Sequence, residues 1–418
     1  MCAWSERSHF AGFDWAKDHH DVVVVDRSGC IVADFSFENT AEGWQEFSKQ
    51  MKAFPTVAIA IETSHGVTVE RLLTLGASVF PVNPKNAERY RERKTSSGVK
   101  SDRMDAWSLA DALRVDGHTW RPLAMEDPLI VELRQLCRDE VALTAQRTRL
   151  VNQLQQALHE YYPVALEAFE DWTSPSAWAF ILQFPTPQAL AKAGKKAWNK
   201  FLHAHRLARP EMYEKRMECF ERATAFCGTA ATTSAKSRLA VTLTKMLQPL
   251  EHGLSEYRDR IRELFEKHPD HELFGSLPGA GDKTAPRLLS ELGDDRARFS
   301  SAGDLQGYGG TAPIGWQSGK RSFARFRHAC NKHLRYALHW LADNSRHQCT
   351  WAQVYYDKKC KEGKRHATAL RCLANRWLDI LWKMWQTRSV YDPDLHLRNQ
   401  VKHGSWIIAL LPENAATQ

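Results

Sequence analysis

Four carboxylates in the first quarter of the sequence are the residues best suited to chemistry. Asp14 closes an apolar, strand-like start, and Glu62 ends a second apolar run, Val57–Ile61. Asp102 and Asp105 are three residues apart, a spacing that places both on one face of a helix. Oxygen ligands of this kind favour hard cations, Mg²⁺ first and Mn²⁺ as a substitute. Two such cations suit phosphodiester chemistry on nucleic acid, because they clamp the attacking and leaving oxygens.

The same acids also have an ordinary structural explanation. Acids at strand ends are common in long α/β proteins, Asp102 could cap a helix, and Asp105 would then suit the dipole of its first turn. If the four carboxylates converge, their mutual repulsion shifts their pKa values, and a bound cation is the simplest resolution. The spacing alone leaves both interpretations open.

The elements that must position these acids form a predicted α/β domain over residues 8–125. Short apolar runs predict strands, and the first three strands are predicted to form a meander. The helix predicted from Asp102 to Arg114 carries the acidic pair. We expect the polar, basic segment from Lys85 to Lys100 to be a loop.

Long helices dominate the predicted middle region, residues 126–270. Apolar residues at helical spacing predict one helix over 127–160 and a second over about 234–267. The pair forms either a coiled-coil arm that joins subunits or two helices packed within one chain. A mainly α C-terminal domain, 271–386, and a tail, 387–418, complete the predicted organisation.

Ser318 is the second candidate for chemistry. It precedes Gly319 and two cations, Lys320 and Arg321. An exposed hydroxyl beside two cations could attack a phosphodiester and hold it covalently, provided that a base or a metal activates it. Turn chemistry in a glycine-rich loop is the ordinary explanation for such a serine, and Ser322 is a nearby rival.

A Gly-x-Gly turn comes earlier in the same region. Gly279 and Gly281 precede a predicted helix that contains Lys283. The backbone N–H groups at such a helix start can seat a phosphate, and the pattern matches a helix-hairpin-helix element. Many helix starts look alike, so the motif by itself is weak.

The net charge of +8 is concentrated towards the C-terminus. Between Trp316 and Arg376 there are 14 Lys and Arg residues against three acids. Aromatic residues, among them Phe323 and Trp340, interleave with these cations, which suits phosphate contact and base stacking. A solvated basic face is the ordinary alternative.

Composition excludes several other classes of protein. The nine cysteines are scattered without Cys-x-x-Cys spacing, and the 18 histidines show no His-Glu-x-x-His pattern, so a disulfide framework or a zinc enzyme is not expected. No apolar run is long enough for a membrane span and no signal segment is evident. These features predict a cytoplasmic protein with reduced thiols.

Short motifs also occur in an order and spacing typical of one family. They are Gly12-Phe13-Asp14, Ile61-Glu62-Thr63-Ser64, Val82-Asn83-Pro84, Lys100-Ser101-Asp102-Arg103-Met104-Asp105-Ala106, Leu277-Pro278-Gly279-Ala280-Gly281, Gly309-Gly310-Thr311-Ala312-Pro313 and Gln317-Ser318-Gly319-Lys320. In these motifs the sequence resembles the DEDD-type insertion-sequence transposases over about residues 8 to 385. That family includes the Piv-type DNA invertases and the bridge-RNA-guided recombinases.

The resemblance implies both a fold and a set of roles. The N-terminal domain would be RuvC-like, of the RNase H type, with Asp14, Glu62, Asp102 and Asp105 binding Mg²⁺. Ser318 would be the nucleophile that forms a covalent 5′-phosphoserine link to DNA. The resemblance further implies a composite site shared between subunits, hence a dimer or tetramer, and a structured guide RNA that pairs with donor and target DNA.

Charge and proximity, rather than the motifs, suggest the nucleic-acid contacts. The predicted contacts are Arg93, Lys94, Lys100, Arg103, Gly279, Gly281, Lys283, Lys320, Arg321, Arg325 and Arg327. The combined hypothesis is a site-specific DNA recombinase that acts as a transposase on double-stranded DNA. The alternatives are a RuvC-like nuclease or junction resolvase that uses water instead of serine, and a nucleic-acid-binding protein without catalysis.

Overall fold

The chain consists of two compact units, Met1–Met125 and Glu126–Gln418. The structure is a computed structural model that describes residues 4–93, 101–319 and 321–411. None of the described helices combines the length and the apolar composition needed to cross a membrane.

The first unit is built on a five-stranded sheet with the strand order β3-β2-β1-β4-β5. Its first three strands form an antiparallel meander, as predicted, while β4 pairs parallel with β1 and with β5. Its strands and helices are β1 His9–Trp15, β2 His19–Asp26, β3 Ile31–Glu38, α1 Ala41–Met51, β4 Ala58–Ile61, α2 Val67–Thr74, β5 Ser78–Pro81, α3 Pro84–Glu92 and α4 Asp102–Asp116.

Both faces of this sheet are covered. Successive strand residues point to opposite faces, so the near-continuous apolar strands feed two separate cores. Phe10 and Val23 are buried with the apolar residues of α4 on one face. Phe13 and Val24 are buried with Trp44 of α1 on the other. The mixed sheet between helices fits a DEDD nuclease-like domain.

Helix α4 lies unusually close to the central strand β1. A Cβ atom added to Gly12 would approach the backbone oxygen of Ala106 to 1.8 Å and the backbone nitrogen of Ala110 to 2.6 Å. Only a residue without a side chain fits between β1 and α4 at this level. The contact sets the depth of α4 in the unit, and therefore the position of the acids on its first turn.

The prediction of a loop from Lys85 to Lys100 is wrong in its first half, because α3 occupies Pro84–Glu92. The Asn83 side chain accepts a hydrogen bond from the N–H of Lys85, and Pro84 occupies the first turn, which are ordinary helix-start signals. Only Ala87 of this helix is buried, so apolar periodicity gave no sign of it. Residues 94–100 lie outside the described residues.

The second unit is mainly helical, as predicted. Its elements are α5 Pro128–Tyr161, α6 Pro163–Ala168, α7 Pro175–Gln183, α8 Pro187–Ala204, α9 Pro210–Arg222, α10 Ala230–Lys267, α11 His271–Gly275, α12 Gly281–Leu292, α13 Ala302–Tyr308, β6 Ile314–Ser318, β7 Arg321–Arg325, α14 Lys332–Gln348, α15 Thr350–Lys361, α16 His366–Thr387 and α17 Pro393–Lys402. The long helices α5 and α10 pack along each other within the chain. One end of the pair enters a core with α6 to α9, and the other end enters a core with α11 to α16.

The hairpin formed by β6 and β7 was not predicted from the sequence. All ten residues of the two strands are exposed, so no alternation of buried and exposed positions marks them. The predicted tail after residue 386 is described to Leu411. It packs on the C-terminal core through Tyr391 and the buried Ile407, and the Tyr391 hydroxyl accepts a hydrogen bond from Trp351 Nε1 at 3.0 Å.

Replacing Gly12 with alanine should destabilise the first unit. The added methyl group meets backbone atoms that no rotamer change can move, so α4 must shift away from β1. Overpacking of a rigid core costs roughly 1–3 kcal/mol, and we expect a loss at the upper end of that range. Thermal unfolding of the full chain, with limited proteolysis to identify the unit that opens, measures it.

Gly253→Ala is the matched control. Gly253 lies inside α10, and a Cβ added there has no atom within 4 Å. Alanine is the better helix former by roughly 1 kcal/mol, so this variant should hold or gain stability. Equal stability of Gly12→Ala and the wild type would contradict the close approach of β1 and α4.

Candidate acidic site and serine hairpin

Strand register brings Asp14 and Glu62 together. In the parallel pair of β1 and β4, Phe13 lies beside Ile61, so the next residues, Asp14 and Glu62, end neighbouring strands at one edge of the sheet. Two residues earlier on each strand, Gly12 and Ala60 face α4. Because side chains alternate along strands, both carboxylates belong to the face that α4 covers.

A fifth carboxylate, Asp21, joins this edge. It is the direct cross-strand partner of Asp14 in the antiparallel pair of β1 and β2. Like charges placed directly opposite each other destabilise a sheet. Asp21 was not among the predicted site residues. Its position just before the apolar run Val22–Val25, in a strand joined to β1 by a short connection, was a usable signal.

The first turn of α4 supplies the other two predicted acids. Ser101 caps the helix, since its side chain accepts a hydrogen bond from the N–H of Met104 at 3.2 Å. Asp102 is therefore not the capping residue, and that structural explanation for it is wrong. Asp102 is exposed, whereas Asp105 is buried with 8% of its surface exposed.

The acids surround one open cleft of about 430 Å³. Its lining includes Asp14, Asp21, Glu62, Asp102 and Asp105. Among the cations that line it, Arg91 of α3 pairs with Asp105, with 2.7 Å between Nη1 and Oδ1. The structure thus brings all four predicted acids together and adds one more acid and an arginine to them.

The convergence of charge is visible in the pKa of Asp14. Burial, together with the negative charges of Asp105, Asp102, Glu62 and Asp21, raises this pKa from 3.8 to about 7. Burial and the neighbouring negative charges therefore favour the protonated form of this carboxyl group. A divalent cation in the cleft would favour the ionised form.

The donor set fits a hard divalent cation. Five carboxylates offer oxygen ligands, which Mg²⁺ prefers and Mn²⁺ also accepts. Within the described parts of the chain, His19, Asp21 and Asp102 each offer a ligand atom, and the three atoms lie within 4.8 Å of one another. The family resemblance did not include His19 or Asp21. A cation that takes Asp105 as a ligand must compete with Arg91 for its Oδ1.

Ser318 is the last residue of β6 and is exposed. It pairs with Arg321 across the hairpin, and Gly319 follows it in the turn. Gly319 has a φ of +56°, a left-handed conformation that suits glycine in such a tight turn. Ser318 therefore lies at the tip of the hairpin, directly opposite Arg321. Its rival Ser322 pairs with Gln317 and belongs to the opposite face of the hairpin.

The base of this hairpin is fixed to the second unit. Arg327 Nε donates to the carbonyl oxygen of Ala312 at 3.2 Å, which ties the two ends of the hairpin together. Arg335 Nη1 donates to the carbonyl oxygen of Arg327, also at 3.2 Å. The guanidinium groups of Arg335 and Arg371 lie 5.0 Å and 4.5 Å from the ring centre of Phe326. The tip is exposed, whereas the base contacts the rest of the second unit.

The predicted nucleic-acid contacts differ in their surroundings. Arg321, Arg325 and Lys283 are exposed. Arg93 pairs with Asp111, with 3.3 Å between Nη2 and Oδ2, and Arg103 pairs with Asp34. The remaining predicted lysines, Lys94, Lys100 and Lys320, lie outside the described residues.

The Gly-x-Gly turn is engaged by α14. The N–H of Gly279 donates to Gln348 Oε1 at 2.8 Å, and Asn344 Nδ2 donates to the Gly279 oxygen at 3.1 Å. The Gly279 N–H is therefore already used, and Asp282 places a negative charge in the first turn of α12. Gly281 has open space around it, but the helix-hairpin-helix comparison stays a prediction.

Two family models match the chain. One is the DEDD_Tnp_IS110 model, described as a transposase, which matches residues 11–163 and so includes all five acids of the cleft. The other, described as the transposase IS116/IS110/IS902 family, matches residues 271–357 and includes the serine hairpin.

Whole-length relatives agree with these models. The chain is 33% identical over 395 residues to a Streptomyces coelicolor protein assigned to the IS117 mini-circle as its transposase, covering 92% of this chain and 95% of that protein. It is 26% identical over 388 residues to the 44.8 kDa protein of insertion element IS116 from Streptomyces clavuligerus, covering 92% and 96%. It is 30% identical over 296 residues to the 42 kDa protein of insertion element IS900 from Mycobacterium paratuberculosis, covering 70% and 73%. The chain therefore belongs to the IS116/IS110/IS902 family of insertion-sequence transposases.

Proposed function

We propose that this transposase cuts and rejoins DNA through a covalent ester at Ser318, with a divalent cation held by the acidic cleft. The observation that carries the proposal is the convergence of five carboxylates around one cleft, with the pKa of Asp14 raised to about 7. A protein without chemistry has no need to hold this repulsion in place. A strongly shifted pKa in a cleft of converging charges is typical of functional sites.

The chemistry at Ser318 can be written as two balanced steps. The hydroxyl loses its proton and Oγ attacks the phosphorus of a phosphodiester. The bond to the 3′ oxygen breaks, that oxygen takes a proton, and the 5′ phosphate stays on the serine. A 3′ hydroxyl of another strand then attacks the phosphoserine and releases Ser318. Each step exchanges one phosphate ester for another, so no ATP is needed.

The acidic cleft has a supporting role in this scheme. A divalent cation bound there would stabilise negative charge on the attacking and leaving oxygens. Asp14, Glu62, Asp102 and Asp105 would hold it, with Asp21 and His19 available beside them. Arg91 supplies positive charge to Asp105 until a cation takes its place.

The proposed partners follow from the charge distribution and the family. They are double-stranded DNA as donor and target, a structured guide RNA, and further copies of the chain in a dimer or tetramer whose copies share the site. The proposed compartment is the cytoplasm. The exposed cations Arg321 and Arg325 on the hairpin support contact with a phosphate backbone.

Asp14→Asn should stabilise the cation-free protein and weaken cation binding. The folded chain holds a proton on Asp14 more tightly than the unfolded chain does. The associated stability is present below about pH 4 and is lost as the pH rises through about 7. Asparagine removes this loss, which we expect to be on the order of 1–2 kcal/mol after solvent screening.

Thermal unfolding at several pH values, with and without Mg²⁺, measures both effects. The wild type should gain stability with Mg²⁺ near pH 8, and Asp14→Asn should gain little. Glu46→Gln is the matched control, because Glu46 is an exposed acid on α1 outside the cleft. An equal Mg²⁺ response in Asp14→Asn and the wild type would remove Asp14 from the cation site.

Ser318→Ala should abolish the covalent adduct and leave DNA binding nearly intact. The substrate is a closed circular DNA that carries the joined ends of the insertion sequence, labelled in the strand that retains the 5′ phosphate. Label that migrates with the protein in a denaturing gel reports the adduct. Ser322→Ala controls for the loss of a hydroxyl on the other face of the same hairpin and should retain the adduct.

The alternative functions predict different products in this gel assay. Adduct formation by Ser318→Ala at the wild-type level would exclude this serine as the nucleophile. Cut DNA with free ends and no adduct, even with the wild-type chain, would favour the water-dependent nuclease. Unchanged circular DNA under Mg²⁺, together with binding that EDTA does not affect, would favour a binding protein without catalysis.

Guide RNA use is tested separately. The full chain, expressed together with the whole insertion sequence and washed at high salt, should retain one discrete structured RNA that sequencing maps to the element. The net charge of +8 provides the attraction for such a polyanion. Recovery of only random cellular fragments would favour a transposase that works without a guide.

A further inference from the structure

The β6–β7 hairpin exposes aromatic side chains that a folded protein normally buries. Trp316 and Phe323 keep 38% and 42% of their surface exposed, and Ile314 keeps 40%. An isolated two-stranded hairpin is only marginally stable in water. Because these side chains stay exposed, they do not form a hydrophobic core that would stabilise it. Clustered exposed apolar groups of this kind mark interaction sites.

Strand register puts the aromatic rings on the same face as the proposed nucleophile. Trp316 and Phe323 are direct cross-strand partners with ring centres 4.6 Å apart. Ser318 and its partner Arg321 are two residues further along the same strands, so they share that face. Gln317, on the other face, pairs with Ser322. The hairpin thus has an aromatic face that carries Ser318 and a small polar face behind it.

A guanidinium group covers the aromatic pair. The Arg325 guanidinium carbon lies 5.2 Å from the ring centre of Trp316 and 4.9 Å from that of Phe323. Contacts of this length are typical of cation–π pairs. From Ile314 to Arg327 the sequence contains cations and no acid. Rings flanked only by positive charge match a ligand that combines flat aromatic groups with negative charge, which describes a nucleic acid strand.

The distance along the strand selects which base can reach the rings. Residues two apart in a strand are separated by roughly 6.7 Å, so Trp316 lies about that far from Ser318. A phosphate held at Ser318 therefore brings the base of its own nucleotide, or of its neighbour, to the ring of Trp316. Bases inside a duplex are stacked on each other, and unstacking one step costs a few kcal/mol. The rings consequently favour a strand that is already unpaired or distorted.

We propose that the face formed by Trp316 and Phe323 binds an unstacked DNA base next to the phosphodiester that Ser318 attacks. The inference rests on the proposed role of Ser318 for its location, but the stacking itself does not depend on the chemistry. Trp316 is a positioning residue in this account. By holding the neighbouring base, it fixes the phosphate beside the serine hydroxyl. Hydrogen bonds from Arg327 and Arg335 hold the base of the hairpin, and so help to hold Trp316 and Ser318 in place.

Binding and fluorescence of a defined oligonucleotide test this proposal with the full chain. The probe is a 12-residue oligothymidylate with one central 2-aminopurine, whose fluorescence falls when the base stacks. Wild type and Ser318→Ala should bind it equally and quench it equally. Trp316→Ala should bind roughly 10-fold more weakly, since base–aromatic stacking is worth about 1–3 kcal/mol per base, and should lose most of the quenching. Trp316→Phe should recover part of both.

Salt dependence separates stacking from charge. Trp316→Ala should keep the wild-type slope of log affinity against log salt, because it removes no cation. Arg321→Ala should reduce that slope by about one phosphate contact. Phe226→Ala is the matched aromatic control: Phe226 is 71% exposed and lies between α9 and α10, and its removal should change neither affinity nor quenching.

Three outcomes would overturn the proposal. They are unchanged affinity and quenching in Trp316→Ala, equal losses in Phe226→Ala, and a change in oligomeric state by light scattering without a change in oligonucleotide binding. The last would assign the rings to a contact between copies of the chain. The adduct assay on Ser318→Ala distinguishes failure of the proposed function from failure of the stacking. An adduct that persists in Ser318→Ala would contradict the proposed function. Unchanged quenching in Trp316→Ala would contradict the stacking.

Discussion

The close packing of α4 on β1 at Gly12 is the constraint on which the acidic site depends. Glycine lets the helix backbone approach the central strand so closely that a single methyl group would meet the oxygen of Ala106. The same contact brings the first turn of α4, with Asp102 and Asp105, over the strand ends that carry Asp14 and Glu62. The apolar core beneath provides the free energy that holds these like charges together.

Two features of the cleft relieve its repulsion. The pKa of Asp14 is raised, so its carboxyl group takes up a proton more readily, and Arg91 pairs with Asp105. A hard cation, if bound as proposed, would displace the proton and compete with the arginine.

The elements predicted correctly from the sequence are those whose buried faces produce a regular spacing of apolar residues. The meander, the parallel strands and the long helices α5 and α10 all follow from apolar runs, because each has a buried face. Sequence reasoning failed for α3, where only Ala87 is buried, and for β6 and β7, where every residue is exposed. Asp21 was missed for another reason. Its membership of the site depends on cross-strand register with Asp14, which no linear spacing displays. The roles of the acids and of Ser318 were suggested by residue chemistry, with alternatives open, and specified by the family resemblance; they stay predictions.

The two proposed halves of the chemistry place opposite demands on the fold. A cation site needs ligands fixed by a rigid core, and the first unit provides this through a sheet covered on both faces. A nucleophile that must reach a phosphate inside a bulky substrate needs an exposed tip. The second unit provides that tip on an attached base.

Asn331 caps α14 just after the hairpin and donates to Glu291 at 2.7 Å. Burial would raise the pKa of Glu291, yet Arg138 and Asn331 hold it below its ordinary value, so the carboxylate remains a charged anchor. Contacts at the base and exposure at the tip allow the hairpin to carry both the proposed nucleophile and an exposed pair of aromatic rings.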